Sequence, residues 1–282
     1  MNSQQLAQEI SKESKSSFYY AFSLLPPLKR DAMNIVYAFC RKTDDIVDEN
    51  SDSVEKRRAK LEMWKSEFQL ASLNNSSIPL LNTVSATMNQ FSIDTKLVYD
   101  LIRGMEMDLI KDRYQTFEEL QQYCYCVAST VGLMCIEIFG YKNQSAKDFA
   151  YDLGMALQLT NIIRDVKKDA EQGRIYLPLE DLARFNYSEE ELFAGVYNEN
   201  FVSLMRYQAK RAEEYFNKAT AALVIDDKRA MFAARAMQHI YFRVLERLYE
   251  KNFDVFSETI NVNKYEKLGI ALGVWVKYKL VY

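Results

Sequence analysis

Two short runs place acids at a spacing that chemistry can use. In CRKTDDIVDE, residues 40–49, Asp44 and Asp48 stand four apart, with Arg41 about one turn before them. In QLTNIIRDVKKD, residues 158–169, Asp165 and Asp169 repeat the spacing, with Asn161 one turn before Asp165 and Gln158 one turn earlier again. Residues four apart on an α-helix share a face and sit about 6 Å apart along the axis, so each pair presents two carboxylates side by side. Mg²⁺ suits such a pair: it prefers six oxygen ligands, keeps several waters, and is commonly held by one or two carboxylates while substrate phosphate oxygens complete its shell. Two facing pairs would hold several ions against a diphosphate. Arg41, Arg164, Arg174 and Tyr176 are the nearby candidates to bond its oxygens directly. No D-x-D-x-D-G loop of the calcium-binding EF-hand type is present.

Spacing by itself discriminates weakly, because DxxxD also occurs at Asp48/Asp52, Asp108/Asp112 and Asp148/Asp152, and charges three or four apart are ordinary on solvated helix faces. Surroundings set two pairs apart. LGMALQLTNIIR before Asp165 is largely apolar and belongs in a core, yet it carries Gln158, Asn161 and Arg164, polar groups that need partners once buried. In the first run, Asp45 and Glu49 form an adjacent four-spaced pair that reads as supporting or solvated. An apolar site for the rest of a ligand is suggested by YCYCVASTVGLMCIEIF, residues 123–139. There Ala128, Ser129 and Gly132 interrupt bulky neighbours, and a glycine within a helix asks for close packing or room for a ligand.

Helices must position these groups. Apolar residues recur at three and four spacing almost throughout, which predicts helices over about 3–13, 27–48, 53–71, 79–91, 94–111, 116–139, 145–171, 178–185, 188–222, 227–250 and 263–279. Thr116 with Glu119 and Ser188 with Glu191 fit capping boxes, Pro27 and Pro79 suit first helical turns, and Gly173 reads as a stop. Glycine and proline fill only twelve of 282 positions, hydrophobic residues make up 49% and charged residues 27%, and no fixed-period repeat appears. One all-helical domain able to bury a pocket is the economical expectation.

A net charge of −3 with a pI near 5.5 argues against nucleic acid as the main partner. The four cysteines lack a disulfide-scaffold spacing and read as reduced, and the single histidine, His239, leaves a structural zinc site without ligands. The first residues show no signal-peptide core, and no segment approaches the ~20 apolar residues that cross a bilayer; the expectation is a cytoplasmic protein. LGIALGVWV, residues 268–276, is too short to span and is followed by Lys277 and Lys279, which leaves a packed terminal helix or an interfacial face open.

On these residues the chain resembles the squalene and phytoene synthase family. The matching stretches are SSFYYAFSLLP at 16–26, YAFCRKTDDIVDE at 37–49, GMEMDLIKDRYQTFEELQQYCYCVASTVGLM at 104–134 and ALQLTNIIRDVKKDAEQGRIYLP at 156–178. The resemblance implies an all-α isoprenoid synthase fold: a single helical domain over 1–282 around a central apolar cavity, with the two acid motifs facing each other across its mouth. It implies Mg²⁺-dependent head-to-head joining of two prenyl diphosphates through a cyclopropylcarbinyl diphosphate. Asp44, Asp48, Asp165 and Asp169 match the metal motifs, with Asn161 as a further metal ligand and Gln158 on the same helix. Arg41, Arg164, Arg174, Tyr176 and Ser17 match diphosphate-contacting positions. Tyr123 and Tyr241 match pocket tyrosines, and Phe18, Phe22, Tyr37, Val127, Val131, Gly132, Ala156 and Leu159 match the lining of a prenyl channel.

Three positions depart from the family pattern. Lys168 replaces an acid of the second motif, Ser129 replaces a glycine, and NFDVFSETI lacks a basic residue often found after its FDVF-like run. Within the family the resemblance is nearest the bacterial branch that joins two farnesyl diphosphates to dehydrosqualene. Phytoene formation from geranylgeranyl diphosphate is the alternative, with NADPH-dependent squalene formation behind it. A non-catalytic helical scaffold is the reading of a different class. An oily product also suggests peripheral contact with a membrane.

Overall fold

The structure, a computed structural model, describes residues 3–13, 17–49 and 51–281; the Ser17 side chain, and with it the expected role of Ser17, lies outside the described residues. α1 (Ser3–Glu13) and α2 (Ser17–Phe22) lead into α3 (Pro27–Asp48), followed by α4 (Val54–Ala71), α5 (Pro79–Gln90) and α6 (Lys96–Ile110). α7 (Phe117–Cys124), a π-helical turn at Tyr125–Ser129 and α8 (Thr130–Phe139) run on without a break, and α9 (Ser145–Glu171) is the longest helix. The remainder comprises α10 (Leu179–Arg184), α11 (Glu189–Phe193), α12 (Glu199–Ala222), α13 (Ile225–Lys228), α14 (Phe232–Glu250) and α15 (Lys264–Leu280). Among the described residues the only strand-like pairing is a single parallel bridge between Arg113 and Ile175.

Local chemistry explains most boundaries. Pro27 and Pro79 open α3 and α5, where a missing N–H costs nothing. Ser188 and Glu191 form a reciprocal capping box. Thr116 accepts from the Glu119 amide, but the Glu119 carboxylate accepts from Gln115 N instead, so only half of that box closes. Gly173, at φ +77°, ends α9.

Two expected long helices are interrupted. The 188–222 pattern breaks after α11, where Gly195 takes φ +64°, and Asn198 caps a new helix by accepting from Phe201 N. The 116–139 pattern keeps its direction but inserts the π-turn. Short α2 lies in a stretch for which periodicity predicts nothing.

The core is built around α9, which packs on α12, α8, the π-turn and α14. Glycine allows the tightest approach: a Cβ on Gly154 would stand 2.5 Å from Ser129 Cα, and one on Gly132 would stand 2.8 Å from the Ala150 carbonyl oxygen. Ser129, despite its hydroxyl, fits this seam because Oγ donates to Tyr151 O at 2.8 Å. The run Phe117–Phe139 proves long and apolar enough to span a bilayer by length and composition, against the expectation that no segment is; it lies largely inside the fold, packed on α6 and α9.

Candidate functional site

A cavity of about 270 Å³ opens among α2, α3, α6, the π-turn with α8, α9 and α14. Part of its lining is an aromatic cluster: Phe18 lies 5.5 Å from Phe22 and 5.9 Å from Tyr37 by ring centroids, and Phe22 lies 6.4 Å from Phe139. The π-turn matters here, since a wider turn shifts the side-chain register and points Val127, Ala128, Val131 and Gly132 to the cavity together. α9 contributes Leu153, Gly154, Leu157, Gln158 and Asn161, one face by three and four spacing. Ala156 and Leu159, expected on the channel, are off this face by the helix's own geometry and are buried in the surrounding core. Cys40 also lines the cavity, but burial pushes its thiol up to about 12, so it is no thiolate nucleophile.

At the mouth the lining turns polar with Arg41, Asp44, Gln158, Asn161 and Tyr241. α3 is held here by its other face: Thr43 Oγ1 donates to Phe39 O and accepts from Trp64 Nε1 of α4, and Arg57 donates to Val47 O at 2.6 Å. Arg41 pairs with Asp45 (Nε–Oδ1, 2.9 Å) and with Asp44 (Nη1–Oδ2, 3.3 Å), which places Asp45 as a support for the arginine. On α9, Arg164 grips both oxygens of Asp165, at 2.8 and 2.6 Å. Tyr241, from α14, stands close to Arg164 and Asn161.

Asp108 on α6 stands between the two acid pairs. Tyr176 donates to its Oδ1 at 2.8 Å and Tyr123 to its Oδ2 at 2.9 Å. Those two rings stack with centroids 5.3 Å apart, and Tyr114 closes a triad at 5.4 and 5.9 Å. Burial pushes Asp108 up to about 6, against the pull of the two tyrosines and Arg174, and Asp48 is near enough to push it further. Asp44 is raised to about 6 by burial, then by Asp48, against Arg41, with Asp108 and Asp45 adding. Asp169 is raised to about 7 by burial and Asp165, against Lys168 and Arg174, with Asp108 again contributing. Acids from α3, α6 and α9 therefore share one field, and Arg174 is the cation between them, near Asp48, Asp108 and Tyr176.

These groups suit Mg²⁺. Asp44 and Asp169 are each raised by neighbouring carboxylates, so the cluster is short of positive charge; the donors are oxygen, and Asn161 Oδ1 is buried with no hydrogen-bond partner. Among the described residues no three acids, cysteines or histidines cluster closely enough to hold an ion by themselves. An ion at either pair would draw the rest of its shell from water and phosphate, the arrangement Mg²⁺ favours.

Asp108 carries the same DxxxD signature as ordinary surface pairs, and its partner Asp112 is indeed 74% exposed at the side chain; spacing concealed it. GMEMD followed by RYQTF does hold the signal, in that an apolar helix places one acid beside Tyr114 and Tyr123. A second unanticipated residue is Lys267 of α15, a half-buried cation near Arg164; burial and then that arginine lower its pKa.

A family model described as squalene/phytoene synthase matches residues 11–266. The 15-cis-phytoene synthase of Synechocystis sp. is 33% identical over 98% of the chain and 86% of its own length. The phytoene synthase of Arthrospira platensis is 35% identical over 95% and 90%. A crystal structure of a dehydrosqualene synthase with a ligand superposes with a TM-score of 0.85 at 29% identity, covering 99% of this chain and 97% of the other.

Proposed function

Because the chain belongs to the squalene/phytoene synthase family, we propose that it joins two prenyl diphosphates head to head, and that these are geranylgeranyl diphosphates giving phytoene. The observation that carries the reading is an apolar, largely aromatic cavity lined at its polar part by Arg41, Asp44, Gln158 and Asn161, beside a charged cluster in which Asp48, Asp108, Asp165, Asp169 and Arg174 lie close enough to perturb one another. A ligand with an oily tail and a diphosphate head matches both.

The reaction runs in two halves, each releasing one diphosphate and one proton. The first forms a cyclopropylcarbinyl diphosphate and the second rearranges it to the hydrocarbon. Mg²⁺ bound at the acid pairs would withdraw charge from the leaving diphosphate. Asp44, Asp48, Asp165, Asp169 and Asn161 would hold it, and coordination at Asp165 would exchange the Arg164 clasp for the ion. Arg41 and Arg174 orient the phosphate oxygens, with the Tyr176 hydroxyl accepting from Arg174 Nη1. Tyr123 and Tyr176 keep Asp108 fixed so that the acids of α3 and α9 stay opposed. Tyr37, Val127, Val131, Leu157 and Phe22 exclude water from the allylic cation, which would otherwise be quenched to an alcohol.

The expectation of farnesyl diphosphate gives way to geranylgeranyl diphosphate because the full-length relatives at 33–35% identity bear the phytoene synthase name. The thirty-carbon reading keeps one observation in its favour, the dehydrosqualene synthase likeness over nearly the whole fold. Incubating the pure chain with Mg²⁺ and each diphosphate separately, without NADPH, and identifying the extracted hydrocarbon by mass distinguishes them. A forty-carbon triene from geranylgeranyl diphosphate supports the proposal. A hydrocarbon from farnesyl diphosphate alone transfers it to dehydrosqualene, and no hydrocarbon from either rejects head-to-head synthesis.

A further inference from the structure

We propose that the outward face of α15 docks on an anionic lipid bilayer. The inner face of this helix is conventional: Ala271, Val274 and Tyr278 are buried. The outer face is apolar and uncovered, with Tyr265 at 74%, Leu268 and Leu272 at 47%, Val276 at 40% and Leu280 at 79% exposure. Gly269 and Gly273 lie on the same side, and a Cβ on either would meet nothing within 4 Å. Mid-helix glycine weakens a helix, and here it returns no contact within the chain. Aqueous solvent gives no reason for such a stripe.

Charge selects the occupant. From Lys267 to Val281 there is no acid. Lys264 begins the helix and exposed Lys277 and Lys279 end it, with Lys279 over the Trp275 ring. The helix's one acid, Glu266, is bound by Arg243 and Arg247 of α14. A cationic border on an apolar stripe, in a chain whose net charge is −3, complements acidic headgroups and the acyl boundary beneath them. The stripe from Tyr265 to Leu280 extends about 22 Å at the α-helical rise, too short to cross a bilayer and suited to lying in its surface.

The position of the face supplies its use. α15 packs on α14 and α2, and these two helices line the cavity with Met237, Tyr241, Phe18 and Phe22. α15 and the α14–α2 layer beneath it thus lie between the bilayer and the apolar chamber, a short path for a hydrocarbon that water cannot carry. This last step rests on the proposed reaction; the docking itself does not.

The test is flotation of the full chain, without substrate, with vesicles of phosphatidylcholine alone or mixed equally with phosphatidylglycerol. The parent should float with the anionic vesicles and hardly with the neutral ones. K277E/K279E should weaken that binding by at least roughly 25-fold, about fivefold for each lysine removed and more because each glutamate adds a repelled charge. L268E/L272E should weaken it on the order of tenfold or more, and both variants should keep the parent's helicity and melting temperature, since all four side chains are exposed. A parent that stays in solution with anionic vesicles overturns the proposal, as does binding that both variants retain. A parent that self-associates through this face, so that L268E/L272E dissolves a dimer while vesicles are ignored, overturns it in favour of a second copy. No turnover is involved, so none of these outcomes bears on the condensation.

Discussion

Asp44 and Asp169 sit on helices 125 residues apart in the chain, yet both are raised by burial, by a paired acid and by Asp108 between them. Their usual value of 3.8 moves to about 6 and about 7, and Asp108 also reaches about 6. Groups whose folded pKa exceeds the unfolded one make the metal-free fold bind extra protons, so its stability falls as pH rises from about 4 through 7. A melting temperature lower at pH 8 than at pH 5.5 without metal is the expected outcome. Asp44→Asn should flatten the trend, and added Mg²⁺ with diphosphate should raise melting more at pH 8 than at pH 5.5. A metal-free melting curve that Asp44→Asn leaves unchanged in its pH dependence would contradict the shared field.

For activity, Asp44→Asn or Asp169→Asn should lower diphosphate release at least ~100-fold, since even outer-shell partners of a metal are worth roughly 10–100-fold. Retention of parental turnover by both would return these acids to the solvated-face explanation and favour the non-catalytic scaffold. Tyr123→Phe removes one of the two hydroxyls on Asp108. It should cost about 1–3 kcal/mol of stability in denaturant melts.

Among the elements, the seam between α9 and the π-turn is the most exacting. Gly154→Ala would place its Cβ 2.5 Å from a backbone atom that no rotamer can move, so a loss of about 1–3 kcal/mol is expected; an unchanged urea midpoint would show that the helices separate freely. Most helices were legible because apolar residues recur at helical spacing and because Pro27, Pro79, Ser188 and Gly173 announce their ends. The π-turn was not, since one extra residue per turn leaves the composition of YCVAS unchanged and only the register of its neighbours reveals it. Nor was the break at Gly195, where the positive φ matters more than the uninterrupted acidic and apolar pattern around it.

At the scale of the molecule, an all-helical fold around an apolar chamber follows from the composition and from motifs that repeat a family's order. Legibility of the site was uneven for a physical reason. The two acid pairs advertise themselves by spacing within one helix, whereas Asp108, Arg174 and Tyr176 acquire their relation only when α6 and the segment after α9 meet at the Arg113–Ile175 bridge and the Tyr176–Asp108 hydrogen bond. The prenyl chain's length is written in no motif, and it was here that the fold likeness and the relatives diverged. The central claim is that this mouth and chamber couple two ionisations to one carbon–carbon bond. The ratio of diphosphate released to hydrocarbon formed, from geranylgeranyl diphosphate with Mg²⁺, measures that coupling. Two diphosphates for each forty-carbon product is the expected result, whereas diphosphate release accompanied by prenyl alcohol and no hydrocarbon would contradict it.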